Sequence, residues 1–132
     1  MSNVRQEWYQ FRDALERGDF VTASTLLEKD SSLLNERNNI GESVLHFLAV
    51  ENNRPAIEWL HLRGANLNAF NEFGTPLLFE VAQLDYRELF LWLIEHGADP
   101  QKKDAQGRRI AEYLAEFDKP EIISFVKKHI KP

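Results

Sequence analysis

The residues most able to do chemistry in this chain are its four histidines, His46, His61, His96 and His129, and its acidic side chains, because cysteine is absent. That absence excludes disulfides, thiol nucleophiles and thiolate metal sites. An imidazole metal site calls for a pair at i, i+4 or a close carboxylate cluster, and none of the four histidines has either. They are read as structural. The serines at 2, 24, 31, 32, 43 and 124 fall at caps or in turns with no histidine partner. No Gly-x-Ser-x-Gly elbow and no Gly-Lys-Ser phosphate loop is present. Glu112 and Glu116 lie one helical turn apart, a spacing that suits acid–base work, but no pocket or second catalytic element accompanies them. They read as a solvated helix face. No catalytic, cofactor-binding or metal-binding residue is assigned.

What remains is a set of aromatic and turn residues that keeps one period. Gly41, Gly74 and Gly107 are spaced 33 residues apart, and Asn35, Asn68 and Gln101 each precede one of them by six. Trp59, Trp92 and Phe125 recur at the same interval beside Leu60, Leu93 and Val126, and Gly64-Ala65-Asn66 is repeated by Gly97-Ala98-Asp99. A fixed period of this size, holding a turn and two amphipathic stretches, marks stacked units that bury a core only together.

The elements follow from local signals. The pattern predicts helices near 5–17 and 20–29, the second begun by Asp19, whose carboxylate can accept from unpaired amides. Ser43 begins a helix running to about Glu51, and Pro55 suits the first turn of its partner. Thr75-Pro76 repeats the start signal. Asp85 with Glu88, and Asp118 with Glu121, are read as reciprocal caps, with Pro120 in the opening turn. Gly64 and Gly97 end helices, and Pro100 keeps the second from resuming. Segments 65–75 and 98–108 reverse through Asn71-Glu72-Phe73-Gly74 and Asp104-Ala105-Gln106-Gly107, so each projects as a finger. Trp59, Trp92 and Phe125 are expected to stack between successive second helices, and Trp8 to cover the end of the core or to offer a contact.

The residues themselves resemble the ankyrin-repeat family. Its turn glycine, Thr-Pro-Leu-His, small-residue pair, Leu-Leu helix and Gly-Ala-Asp read here as Gly41-Glu42-Ser43-Val44-Leu45-His46-Phe47-Leu48-Ala49, then Trp59-Leu60 and Gly64-Ala65-Asn66. The next unit offers Gly74-Thr75-Pro76-Leu77-Leu78 and Trp92-Leu93-Ile94-Glu95-His96-Gly97-Ala98-Asp99, and the last Gly107-Arg108-Arg109-Ile110-Ala111-Glu112-Tyr113-Leu114-Ala115. Unit two lacks the residue between glycine and threonine and has Leu78 in the histidine's place, which is expected to shift its helix by a residue. The resemblance implies an all-α fold, an ankyrin-repeat solenoid of paired antiparallel helices with projecting β-turn or hairpin loops. It implies a single domain over 1–132, with an N-cap unit at 1–37, repeats at about 38–70 and 71–103, and a C-cap unit at about 104–132. His46, in the motif's histidine place, is expected to tie neighbouring turns by hydrogen bonds.

By the same resemblance the chain is a non-enzymatic module that binds a partner protein through its concave face and loop tips. The residues so implied are Phe47, Phe79 and Tyr113 on the first helices, flanked by Val50 and Glu51, Ala82 and Gln83, and Glu116 and Phe117. At the finger tips stand Asn39, Ile40 and Glu42, then Glu72 and Phe73, then Gln106 and Arg108. Charge supports a neutral or basic partner, since residues 38–100 carry 3 basic and 9 acidic groups while residues 101–132 carry 8 and 5. Nucleic acid would be repelled by that acidic body. The basic cluster Lys127-Lys128-His129-Ile130-Lys131 is read as cations complementing a helix C-terminus. No apolar run approaches the roughly 18 residues of a membrane span, and Met1-Ser2-Asn3-Val4-Arg5-Gln6-Glu7 has no secretory segment, so a cytoplasmic protein, monomeric when unbound, is expected. The alternatives are an immunity or inhibitor protein neutralising a basic toxin and, from another class, a small-ligand binder or enzyme.

Overall fold

The computed structural model describes residues 6–130; the Met1–Arg5 part of the stretch read for a secretory segment, and Lys131 of the basic tail, lie outside the described residues. Among the described residues the fold is all-α, with no β-strand. Its helices are α1 (Gln6–Arg17), α2 (Phe20–Lys29), α3 (Val44–Val50), α4 (Arg54–Leu62), α5 (Leu77–Gln83), α6 (Arg87–Glu95), α7 (Ile110–Leu114) and α8 (Pro120–His129), with short 3-10 turns at Ser31–Leu34 and Ala115–Phe117. They pack as pairs α1/α2, α3/α4, α5/α6 and α7/α8, and the chain divides between Asn66 and Leu67 into two compact units of two pairs each.

In the first unit α1 buries Trp8, Phe11, Ala14 and Leu15, a helical stripe that meets α3. Trp8 is only 1% exposed and its indole nitrogen donates to the Glu36 carbonyl at 3.0 Å, so it covers the core. Asp19 caps α2 by accepting from the Thr22 amide at 3.1 Å, and Ser43 caps α3 by accepting from the His46 amide at 3.3 Å. Asn53 caps α4 by accepting from Ala56 at 3.3 Å, with Pro55 in the first turn as the sequence predicts. Trp59 is 9% exposed and stacks on Phe20 of α2, centroids 5.8 Å apart, with Phe11 edge-on at 6.1 Å. Asn35 accepts from the Asn66 amide at 3.0 Å, linking the loops that end two successive helical pairs.

The second unit repeats this plan. Its α5 buries Leu77, Leu78, Phe79, Val81 and Ala82, and packs on α7 and α8. Asn68 accepts from the Asp99 amide at 2.6 Å and donates to the Gly97 carbonyl at 3.1 Å, the counterpart of the Asn35 contact. Phe125 does pack on the preceding second helix, but its ring partner there is Phe90, at 5.7 Å, and not the ladder residue Trp92. Trp92 is half-buried, and its ring lies on His96 of its own helix at 4.2 Å. Lys127, Lys128 and His129 occupy the last turn of α8, where cations complement the free carbonyls.

The period holds without slippage, and this corrects three sequence readings. Helices α3, α5 and α7 begin at Val44, Leu77 and Ile110, and α4, α6 and α8 at Arg54, Arg87 and Pro120, each set on the 33-residue interval. Unit two therefore does not shift its helix by a residue. Phe79 takes the register position of His46, and Glu80 takes that of Phe47 and Tyr113. Asp85 and Asp118 are not helix caps: with Asn52 they form a third repeated set in the left-handed region, φ +63°, +52° and +56°, where they turn the chain between paired helices. Asn and Asp tolerate that conformation because their short polar side chains bond locally. The Asp85 carboxylate accepts from the Arg87 side chain at 2.7 Å.

Candidate functional site

Each finger is braced from within by one side chain. Asn38 Oδ1 accepts from the amides of Ile40 and Glu42, both at 3.0 Å. Asn71 Oδ1 does the same for Phe73 at 2.9 Å and Thr75 at 3.0 Å, and Asp104 Oδ1 for Gln106 at 3.0 Å and Arg108 at 2.9 Å. Backbone bonds close each turn: Asn38 N to Glu42 O, Asn71 N to Thr75 O, and Asp104 N to Arg108 O. Single antiparallel bridges at Arg37–Ser43 and Phe70–Pro76 form the base of the first two. The Asn38, Asn71, Asp104 set keeps the 33-residue period and was discoverable from it. Gly74 has φ +77°, and a Cβ there would lie 2.5 Å from that of Ala105. Its carbonyl accepts from Ala105 N at 3.2 Å, so fingers two and three touch through a residue without a side chain.

Replacing Asn71 with alanine leaves the Phe73 and Thr75 amides without their acceptor. The expected cost is about 1–2 kcal/mol. Hydrogen exchange at those two amides should accelerate beyond the change at helical amides; equal acceleration everywhere would deny the brace its local role.

In the first unit the candidate residues lie on finger one and α3. Ile40 is 49% exposed at the tip beside exposed Asn39 and partly buried Glu42. Phe47 is half-buried, and Val50 and Glu51 are exposed at the end of α3. A residue the sequence reading missed completes this surface: the Arg12 guanidinium lies 4.6 Å from the Phe47 centroid and 5.3 Å from that of Tyr9. Nothing local in the sequence announces that contact, because it joins α1 to α3 across the packing.

In the second unit Phe73 is 71% exposed at its finger tip, next to exposed Glu72. Phe79, expected on the face, is fully buried, because the helix keeps register and turns it inward; Ala82 is buried for the same reason. Phe79 instead backs Tyr113 at 5.3 Å, and Tyr113 meets Phe117 at 5.0 Å. Gln83 is partly buried, and its carbonyl accepts from Lys119 at 2.5 Å. Arg108 gathers much of the rest: it pairs with Asp104 at 2.8 Å and with Glu116, reaches Gln106 at 3.4 Å, and lies 5.5 Å from the Tyr113 centroid. Burial pushes the Asp104 carboxyl up, but hydrogen bonds and charge from Arg108 outweigh it and hold the group below its ordinary value. Burial, with Glu80 nearby, raises the Tyr113 hydroxyl.

His46 is fully buried, its Nδ1 2.9 Å from Ser43 Oγ. Its Nε2 has no hydrogen-bond partner among the described residues, so the imidazole secures its own helix start and not a neighbouring turn. His96 Nδ1 lies 2.8 Å from the Trp92 carbonyl at the end of α6, and His129 packs on Phe125 at 4.6 Å. Among the described residues no group of three or more His, Asp or Glu is placed to hold a metal ion, and no helix is long and apolar enough to cross a membrane.

Comparison with known proteins agrees with this architecture. The ankyrin repeat family matches residues 40–72, from the tip of finger one to finger two. A 54-residue stretch covering 38% of the chain is 41% identical to oxysterol-binding protein homolog 2 of Saccharomyces cerevisiae, and spans only 4% of that protein's length. Ankyrin repeats are in general protein–protein interaction modules and typically non-enzymatic. The matched segment covers one repeat, and the all-α fold with helical pairs kept on one period is consistent with an ankyrin solenoid.

Proposed function

We propose that the chain is a non-enzymatic module that holds a neutral or basic partner protein on its finger tips and on the first helices of its repeats. The observation that carries this reading is the pair of apolar tips, Ile40 at 49% and Phe73 at 71% exposed, each held on a turn braced by Asn38 or Asn71. An apolar residue fixed in a rigid turn loses little freedom on binding, and there is no local core for it to enter. Glu42, Glu51 and Glu72 have no ion pair among the described residues and are available to a cationic partner, whereas Glu116 is engaged by Arg108. Arg108 accordingly shapes the surface around Tyr113 and Phe117, and the direct contacts fall to the aromatics and the unpaired carboxylates.

Affinity capture with the purified protein tests the reading. Ile40→Asp with Phe73→Asp should abolish capture of the partner, and reversing Glu42, Glu51 and Glu72 should weaken it in a salt-dependent way. Val21→Asp with Leu62→Asp, which alters two side chains each 79% exposed on α2 and α4 and not on a finger, should leave it intact. Capture unchanged in the finger variants, with their circular dichroism unaltered, would reject this surface.

A further inference from the structure

The second unit holds a recess of opposite character to the acidic finger tips. Beside the Gly74–Ala105 contact lies an open cleft of about 220 Å³, walled by Phe70, Pro76 and Ala105 and rimmed by Lys102 and Lys103. Phe70, one of the lining residues, is 47% exposed. Asp104 also borders the cleft, but its carboxylate is turned into its own finger, where it accepts from Gln106 and Arg108 amides and pairs with the Arg108 side chain. Neither lysine ammonium has an ion pair among the described residues, so the rim is positive and uncompensated, next to a central stretch with 3 basic and 9 acidic groups. Small-molecule pockets commonly run from about 300 to 1,000 Å³. This one suits a single side chain. A polyanion would use the lysines alone and leave the apolar walls wet; a peptide carrying an apolar residue next to a carboxylate uses both.

We propose that this cleft seats one apolar side chain of an acidic peptide segment, whose neighbouring carboxylates pair with Lys102 and Lys103. The cleft borders fingers two and three but uses none of the tip side chains named above, and the proposal does not rest on that reading. The test is a ¹H–¹⁵N NMR titration of the whole chain with capped Asp-Phe-Asp tripeptide, alongside Asp-Ala-Asp, Lys-Phe-Lys and a short oligothymidylate. Saturable shifts at the amides of Gly74 and Ala105 are expected for Asp-Phe-Asp. Asp-Ala-Asp should bind at least about tenfold more weakly, since a methyl group cannot fill the apolar walls that a phenyl ring would cover. Lys102→Glu with Lys103→Glu should remove the shifts, and the milder Lys102→Gln with Lys103→Gln should reduce them if the first variant does not fold. Ile40→Asp, on the first finger, should leave them in place. Absence of the shifts, equal binding of Lys-Phe-Lys or of Asp-Ala-Asp, or tighter binding of the oligonucleotide would each overturn the assignment.

Discussion

Replacing Trp59 with alanine lowers the free energy of unfolding by about 3–5 kcal/mol, against a total of roughly 5–15 for a domain of ordinary stability. The indole is 9% exposed and stacked almost parallel on Phe20, with an interplanar angle of 10°. Phe11 meets it edge-on, and the Arg63 guanidinium covers it at 3.7 Å from the ring centroid. Truncation therefore removes a buried bicyclic ring and leaves a cavity whose walls sit on three helices, α1, α2 and α4, which cannot all collapse inward. Arg63 loses its cation–π partner as well, though its bond to the Trp59 carbonyl at 3.1 Å survives because that acceptor is backbone. Trp92→Ala should cost less, because Trp92 is already partly exposed. Urea titration followed by circular dichroism reads both as midpoint shifts at constant m. Equal midpoints for the two variants would mean that the packing of Trp59 on α1 and α2 contributes nothing particular.

The period of this chain made most of its fold legible before any coordinates, because repetition averages out local ambiguity. Helix starts at Val44, Leu77 and Ile110, the fingers at Gly41, Gly74 and Gly107, and the loop ties at Asn35 and Asn68 all lie on it. Errors arose where a short motif was followed in preference to the period. Matching Thr-Pro-Leu by letters placed Phe79 one position along the helix, which rotates a side chain by about 100° and moves it from face to core. Asp85 and Asp118 misled for a different reason: a short acidic side chain suits both a helix start and a left-handed turn, and only their alignment with Asn52 separates the two. The site was legible at its tips, where Ile40 and Phe73 stand out as apolar residues in turns. It was not legible at Arg12, whose place on Phe47 depends on how α1 lies against α3.

Acidification from pH 6.5 to 4 destabilises the protein by about 3 kcal/mol through His46 alone. Burial, and secondarily the positive charge of Arg37, lowers its pKa from the ordinary 6.5 to about 4. The folded state thus binds this proton less readily than the unfolded state, whose histidine titrates near its ordinary value. The contribution is fully present above pH 6.5, shrinks as the pH falls through the interval, and is flat below about 4. The geometry explains the penalty: an imidazolium carries an N–H on both nitrogens, so Ser43 Oγ, which already receives the His46 amide, would have to accept at Nδ1 as well, while the Nε2 N–H has no acceptor among the described residues. Asp19 and Asp104 are both held below the ordinary carboxyl value, so the stabilisation they contribute is lost mostly at the acid end of this window and beneath it. Urea midpoints measured across pH 4–7 should slope downward on acidification in the wild type. In His46→Gln, whatever its absolute stability, that component of the slope should vanish, and an unaltered slope in the variant would show that the buried imidazole is not its source.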